Sequence, residues 1–123
     1  MKSNQSEPTK GNIPPPMVLH IDLGNQSLTS WMKENKYFIH SELVRYAEKL
    51  IENNLNEVQA LMLSNLSDNV VFILKKENIY ITLEKAMEYF LDIEEYEQCA
   101  TIRDLLTLME NKNEKRDFIK NNI

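Results

Sequence analysis

Glycine is nearly absent from this 123-residue chain, occurring only at Gly11 and Gly24. A loop that brings backbone N–H groups against a phosphate needs several small residues, so a P-loop or dinucleotide fingerprint is excluded. One cysteine, Cys99, permits no internal disulfide, and no apolar run approaches the roughly 18 residues that a membrane helix requires. The opening MKSNQSEPTKGN lacks the apolar stretch of a signal peptide. These absences lead us to expect a reduced, cytoplasmic protein with no membrane partner. Basic charge is also scarce where it would matter: residues 1–54 hold six Lys/Arg and six Asp/Glu, whereas residues 55–123 hold eight against thirteen. A basic field that attracts nucleic acid is therefore missing from the second half, and any DNA contact would fall to the first. With 42% hydrophobic residues the chain can build one modest core, and its length excludes a large multidomain enzyme.

Residues 1–16, which end in Pro14-Pro15-Pro16, contain Ile13 as their only sizeable apolar residue besides Met1. They read as a disordered or polyproline-like arm. From Met17 to Leu23 the alternation of Leu19, Ile21 and Leu23 with Val18, His20 and Asp22 predicts a half-buried strand, broken at Gly24-Asn25. Leu28, Trp31 and Met32 predict a short helix within residues 26–36, stopping near Asn35. Ser41 reads as the N-cap of a helix through Asn53-Asn54, with Leu43, Val44, Ala47, Leu50 and Ile51 on its apolar face. A further helix is expected from Asn56 to about Leu63. The stretch from Ser67 to Thr82 carries both a helical signal, with Ser67 and Asp68 at one end and Lys75-Lys76 at the other, and a strand signal in VVFI and IYIT. We read it as a helix, with two strands joined through residues 75–78 as the alternative.

Toward the C-terminus, Thr82 can cap a helix whose face carries Leu83, Ala86, Met87, Phe90 and Leu91. A second helix, from about Glu95 to Glu110, places Cys99, Ile102, Leu106 and Met109 three and four residues apart. The short connection near Ile93-Glu94 predicts an antiparallel hairpin. Residues 111–123 form a charged tail expected to fray.

Few residues offer chemistry. Cys99 has mostly acids within one turn and Arg103 as the only nearby cation, so it reads as a small hydrophobe on the hairpin seam and not as a nucleophile. Arg103 and Asp104 point about 100° apart on a helix, which suits ion pairs that close the hairpin better than a catalytic couple. His20, His40 and Asp22 lack metal-ligand spacing. Trp31, Tyr37 and Phe38 read as packing residues, and Glu94, Glu95 and Glu97 as a solvated helix start. No enzyme activity, metal or cofactor is expected.

Two stretches resemble known families. Leu83 and Met87, followed by Glu95, Tyr96, Glu97, Cys99, Ala100, Ile102, Arg103, Asp104 and Leu106, resemble the UVR motif, with Phe90 and Cys99 where that family usually has alanine. The resemblance spans about 28 residues and implies a protein-binding hairpin, with Leu83, Met87, Phe90, Tyr96, Cys99, Ile102, Arg103, Asp104 and Leu106 as its packing and interaction residues. Ser41-Glu42-Leu43-Val44-Arg45-Tyr46-Ala47, downstream of the strand, resembles the second helix of ribbon-helix-helix regulators and antitoxins. That resemblance implies a homodimer whose paired strands present Val18, His20 and Asp22 to the DNA major groove, with Ser41 and its neighbouring amides holding a phosphate. Asp22 has the wrong sign for most of that field.

The expected fold is therefore mainly α: an arm (1–16), a ribbon-helix-helix-like dimerisation unit with a short N-terminal strand (17–54), a connecting segment (55–81), a UVR-like antiparallel helical hairpin (82–110) and a tail (111–123). The expected function is a small non-enzymatic regulator that dimerises, has DNA as a candidate ligand and recruits a protein through the hairpin. The alternative is a pure adaptor, or a phage-encoded accessory or assembly protein, with no nucleic-acid role.

Overall fold

A computed structural model describes residues 19–121, with side chains through Lys112. The arm at 1–16 and Val18 lie outside the described residues. The order is β1 (Leu19–Asp22), α1 (Leu28–Glu34), α2 (Lys36–Glu52), β2 (Glu57–Ser64), β3 (Asn69–Lys75), α3 (Ile79–Asp92) and α4 (Tyr96–Asn121). The strands form one sheet in the order β1-β2-β3. The fold is thus mixed α/β: the N-terminal strand and C-terminal hairpin are present, but a three-stranded sheet replaces the ribbon-helix-helix unit.

β1 pairs in parallel with β2, Leu19 opposite Leu61 and Ile21 opposite Leu63. α1 and α2 make the crossover that a parallel pair requires. At the end of β1, Asp22 Oδ1 accepts the Gly24 N–H at 3.0 Å, and Gly24 turns the chain at φ +61°, which glycine adopts without a Cβ clash. The Ser27 hydroxyl then accepts the Ser30 N–H and starts α1. Asn35 ends α1 as expected, yet Ile39 N–H already donates to Asn35 C=O at 3.0 Å, so α2 restarts immediately. α2 therefore begins at Lys36 and not at Ser41.

β2 and β3 occupy the segment read as two helices. They pair antiparallel from Glu57–Lys75 to Ser64–Asn69, with a β-bulge that leaves Ala60 without a partner. The bulge lets Ala60 and Leu61 both turn inward, so Val58, Ala60, Leu61 and Leu63 are all buried on the helix side. The connecting turn is at Asn65–Asp68, where Asn65 Oδ1 accepts both the Ser67 and Asp68 N–H groups. Ser67 is thus a turn residue and caps no helix, and the IYIT residues open α3 after its N-cap Asn78.

α2 and α3 pack against the sheet, α4 against both of these helices, and α1 against α2. Leu50, Leu61, Leu63, Ile79, Leu83, Phe90 and Ile102 are fully buried and make a single core. Tyr37 to Glu95, Ser41 to Gln98 and Lys112 to Ile51 are hydrogen-bonded pairs that set α2 and α4 side by side and parallel, with α3 antiparallel to both. α4 continues to Asn121, past the expected end near Glu110.

Candidate functional site

The end of the α3–α4 hairpin is built by its backbone. Ile93 caps α3, Glu94 takes the left-handed conformation at φ +60°, and α4 starts at Tyr96. Glu94 N–H donates to Leu91 C=O at 3.1 Å and Glu95 N–H to Phe90 C=O at 2.8 Å. These are the two bonds of a Schellman motif, in which glycine usually holds the left-handed position. The residue after it commonly makes an apolar contact; here Glu95 instead accepts the Tyr37 hydroxyl at 3.0 Å, tying the hairpin to the start of α2.

Below this bond is an aromatic cluster. Tyr37 and Tyr89 each meet the Phe90 ring edge-to-face, at 5.5 and 5.3 Å, and His40 stacks on Tyr89 at 4.6 Å. Above it the surface is apolar. Tyr37 is 43% exposed, Leu91 50%, Ile93 43% and Tyr96 62%, while Asp92, Glu94 and Glu97 are exposed among them. Large exposed apolar groups are thus gathered at one end of the domain among mainly acidic residues, with Lys36 beside Tyr37.

Of the residues read as hairpin packing, Leu83, Phe90, Cys99 and Ile102 are buried on the seam. Met87 and Leu106 are half-buried, and Leu105 lies deeper than Leu106. Tyr96 belongs to the exposed patch. Arg103 and Asp104 do not close the hairpin: both are well exposed, and Arg103 Nε reaches only the neighbouring Asp104 Oδ1, at 3.7 Å. Tyr37, Leu91 and Ile93 were not read as surface residues. For Leu91 a signal existed: Ile79, Leu83, Ala86 and Phe90 share a narrow arc of α3, and Leu91 lies about 100° from Phe90, off that arc.

The residues expected to meet DNA are differently employed. β1 is joined to β2 within the chain, and Asp22 turns the loop at Gly24. His20 Nε2 and Ser64 Oγ are hydrogen-bonded at 2.8 Å on the sheet face away from the helices. Ser41 is five residues inside α2, so its N–H serves the helix and offers no free amide to a phosphate. Its hydroxyl faces Gln98 Nε2 of α4 at 3.4 Å. Arg45 of the same stretch is paired with Glu42 at 2.8 Å and lies over the Tyr46 ring. Among the described residues no group of three His, Cys, Asp or Glu is placed to hold a metal ion, and no helix is long and apolar enough to cross a membrane.

His40 sits in a groove between α2 and α3 with Lys36, Lys85, Glu88 and Asp92. Its Nδ1 is buried without a hydrogen-bond partner. Burial first, and then the Lys36 ammonium, holds its pKa below the ordinary 6.5. A folded-state pKa lowered in this way means that the unfolded chain binds the proton first. The stability that a neutral His40 contributes is thus fully present above pH 6.5 and declines as pH falls through the folded value. The unfolding free energy from urea titrations should drop between pH 7 and 5.5 by less than about 1 kcal/mol, because solvent reaches part of the ring. His40→Phe, which keeps the stack on Tyr89, should flatten this slope; an unchanged slope would place its source elsewhere.

No family model, curated protein or solved structure matches the chain.

Proposed function

We propose that this protein is a non-enzymatic interaction module whose α3–α4 end docks a partner protein carrying apolar anchors flanked by Lys or Arg. The observation that carries this reading is the cluster of Tyr37, Leu91, Ile93 and Tyr96, each more than 40% exposed and set among Asp92, Glu94 and Glu97. Exposed tyrosines and branched aliphatics supply contact area at the centre of an interface, and the acids select a partner of opposite sign. The UVR-like sequence of Tyr96 to Leu106 supports the same role. The strand pairing and the position of Ser41 favour the adaptor reading over a DNA-binding ribbon dimer.

The test uses the double variant Leu91→Ser, Tyr96→Ser. Both side chains are at least half exposed, so the unfolding midpoint should barely change. A partner captured by cross-linking and identified by mass spectrometry is purified and titrated with both forms. The double variant should bind about 100-fold more weakly, as expected for losing two interface anchors. Added salt should weaken the wild-type complex. Equal affinity for the two forms would remove the hairpin end from the function.

A further inference from the structure

A second candidate site lies at the other end of the helix layer. A pocket of about 150 Å³, open to solvent on one side, lies between the end of α2, the β3–α3 connection and α4. Leu50 and Ile79, both fully buried, and the half-buried Met109 form its apolar floor; Asn54, Lys76 and Lys112 complete it. Its volume is about that of a cavity that holds one benzene-sized group.

The two lysines are not needed to finish α2. Asn54 takes the left-handed conformation at φ +53°, Asn54 N–H donates to Ile51 C=O at 3.3 Å, and Leu55 N–H donates to Leu50 C=O at 2.9 Å. The helix end is thus closed by its own backbone. Lys112 Nζ nevertheless donates to Ile51 C=O at 2.8 Å, and Lys76 Nζ to Asn54 Oδ1 at 2.7 Å. Each ammonium group has three donors and uses one in these bonds. Among the described residues neither has a carboxylate within ion-pair distance, and no acid lines the cavity. Two ammonium groups with no ion-pair partner among the described residues thus stand over an apolar floor in a chain whose net charge is −5, Lys76 also bordering Glu57 and Glu77 in a neighbouring groove.

We propose that this cavity binds a small apolar carboxylate, its ring-sized body against Leu50, Ile79 and Met109 and its charge at the Lys76 and Lys112 ammonium groups. The apolar floor provides affinity for the body, and the ammonium groups select the acid over its neutral amide through charge-assisted hydrogen bonds.

Methyl NMR of the full chain, titrated with benzoate and separately with benzamide, tests the assignment. Benzoate should produce saturable shifts at the Leu50, Ile79 and Met109 methyls and bind about tenfold more tightly than benzamide. Lys76→Gln with Lys112→Gln should weaken benzoate about tenfold and leave benzamide unchanged. If the double variant fails to fold, Lys76→Gln alone, at an exposed position, is read by the same comparison. The proposal is overturned by an absence of saturable shifts, by equal binding of acid and amide, or by lysine variants that bind benzoate as well as wild type does.

Discussion

Phe90→Ala should destabilise the protein by about 3–5 kcal/mol, the largest loss expected from any single truncation in this core. Phe90 is fully buried, and its ring is met edge-to-face by Tyr37, His40 and Tyr89. Removing it forfeits the burial of the ring and leaves a cavity, and aromatic pairs add about 0.5–1.5 kcal/mol each beyond their area. Its carbonyl also receives the Glu95 N–H that closes the hairpin, so collapse around the void would pull on that turn. For a domain of this size the thermal midpoint should fall by roughly 12 °C or more. Circular dichroism melts and urea titrations give the number, with Leu91→Ala as the control. Leu91 is one residue away but half exposed, and its truncation should cost no more than about 1 kcal/mol. A Phe90→Ala loss as small as the control's would mean that Phe90 is not at the centre of the core.

The same residues explain what the sequence could and could not tell. β1, α1 and the hairpin were legible because each has one undisturbed period: alternation in Leu19 to Asp22, and spacings of three and four in Leu83 to Phe90 and Cys99 to Ile102. β2 was misread because of its bulge. With Ala60 unpaired, the inward residues fall at 58, 60, 61 and 63, and Val58, Leu61 and Met62 imitate the i, i+3, i+4 signature of a helix. Deleting Ala60 from the pattern restores strict alternation. Ser41 and Ser67 were both misplaced as caps, since a serine followed by an acid suits a helix start, a helix interior facing a neighbour, or a turn, and only the tertiary partner distinguishes them. Gln98 is that partner for Ser41 and Asn65 for the turn at Ser67. The exposed apolar patch was hidden for a different reason. Leu91 and Tyr37 read as packing residues and Ile93 as part of a connection, whereas the Schellman turn at Glu94 and the Tyr37–Glu95 bond hold all three at the outside.

Cys99 offers the most direct test that the hairpin is a closed, packed seam. Its side chain belongs to the buried core cluster at 9% exposure, so a bulky thiol reagent needs α4 to lift before it can react fully. Labelling with a bulky disulfide reagent should therefore be slower than in the urea-unfolded chain by about a thousandfold, the factor for an opening of about 4 kcal/mol. That opening free energy is within the stability of a domain this size. Phe90→Ala, by weakening the packing that holds α3 and α4 together, should remove much of this protection and raise the native labelling rate at least tenfold. The tip variant Leu91→Ser, Tyr96→Ser should leave it unchanged, because neither side chain lies on the seam. Rapid labelling of the wild-type thiol would mean that the seam is open in solution, and the exposed tip would then lose the rigid support that an interaction surface requires. Slow labelling relieved only by Phe90→Ala would separate the two jobs of the hairpin: an inner face that holds α4 to the rest of the fold, and an outer end whose apolar groups are free to meet another protein.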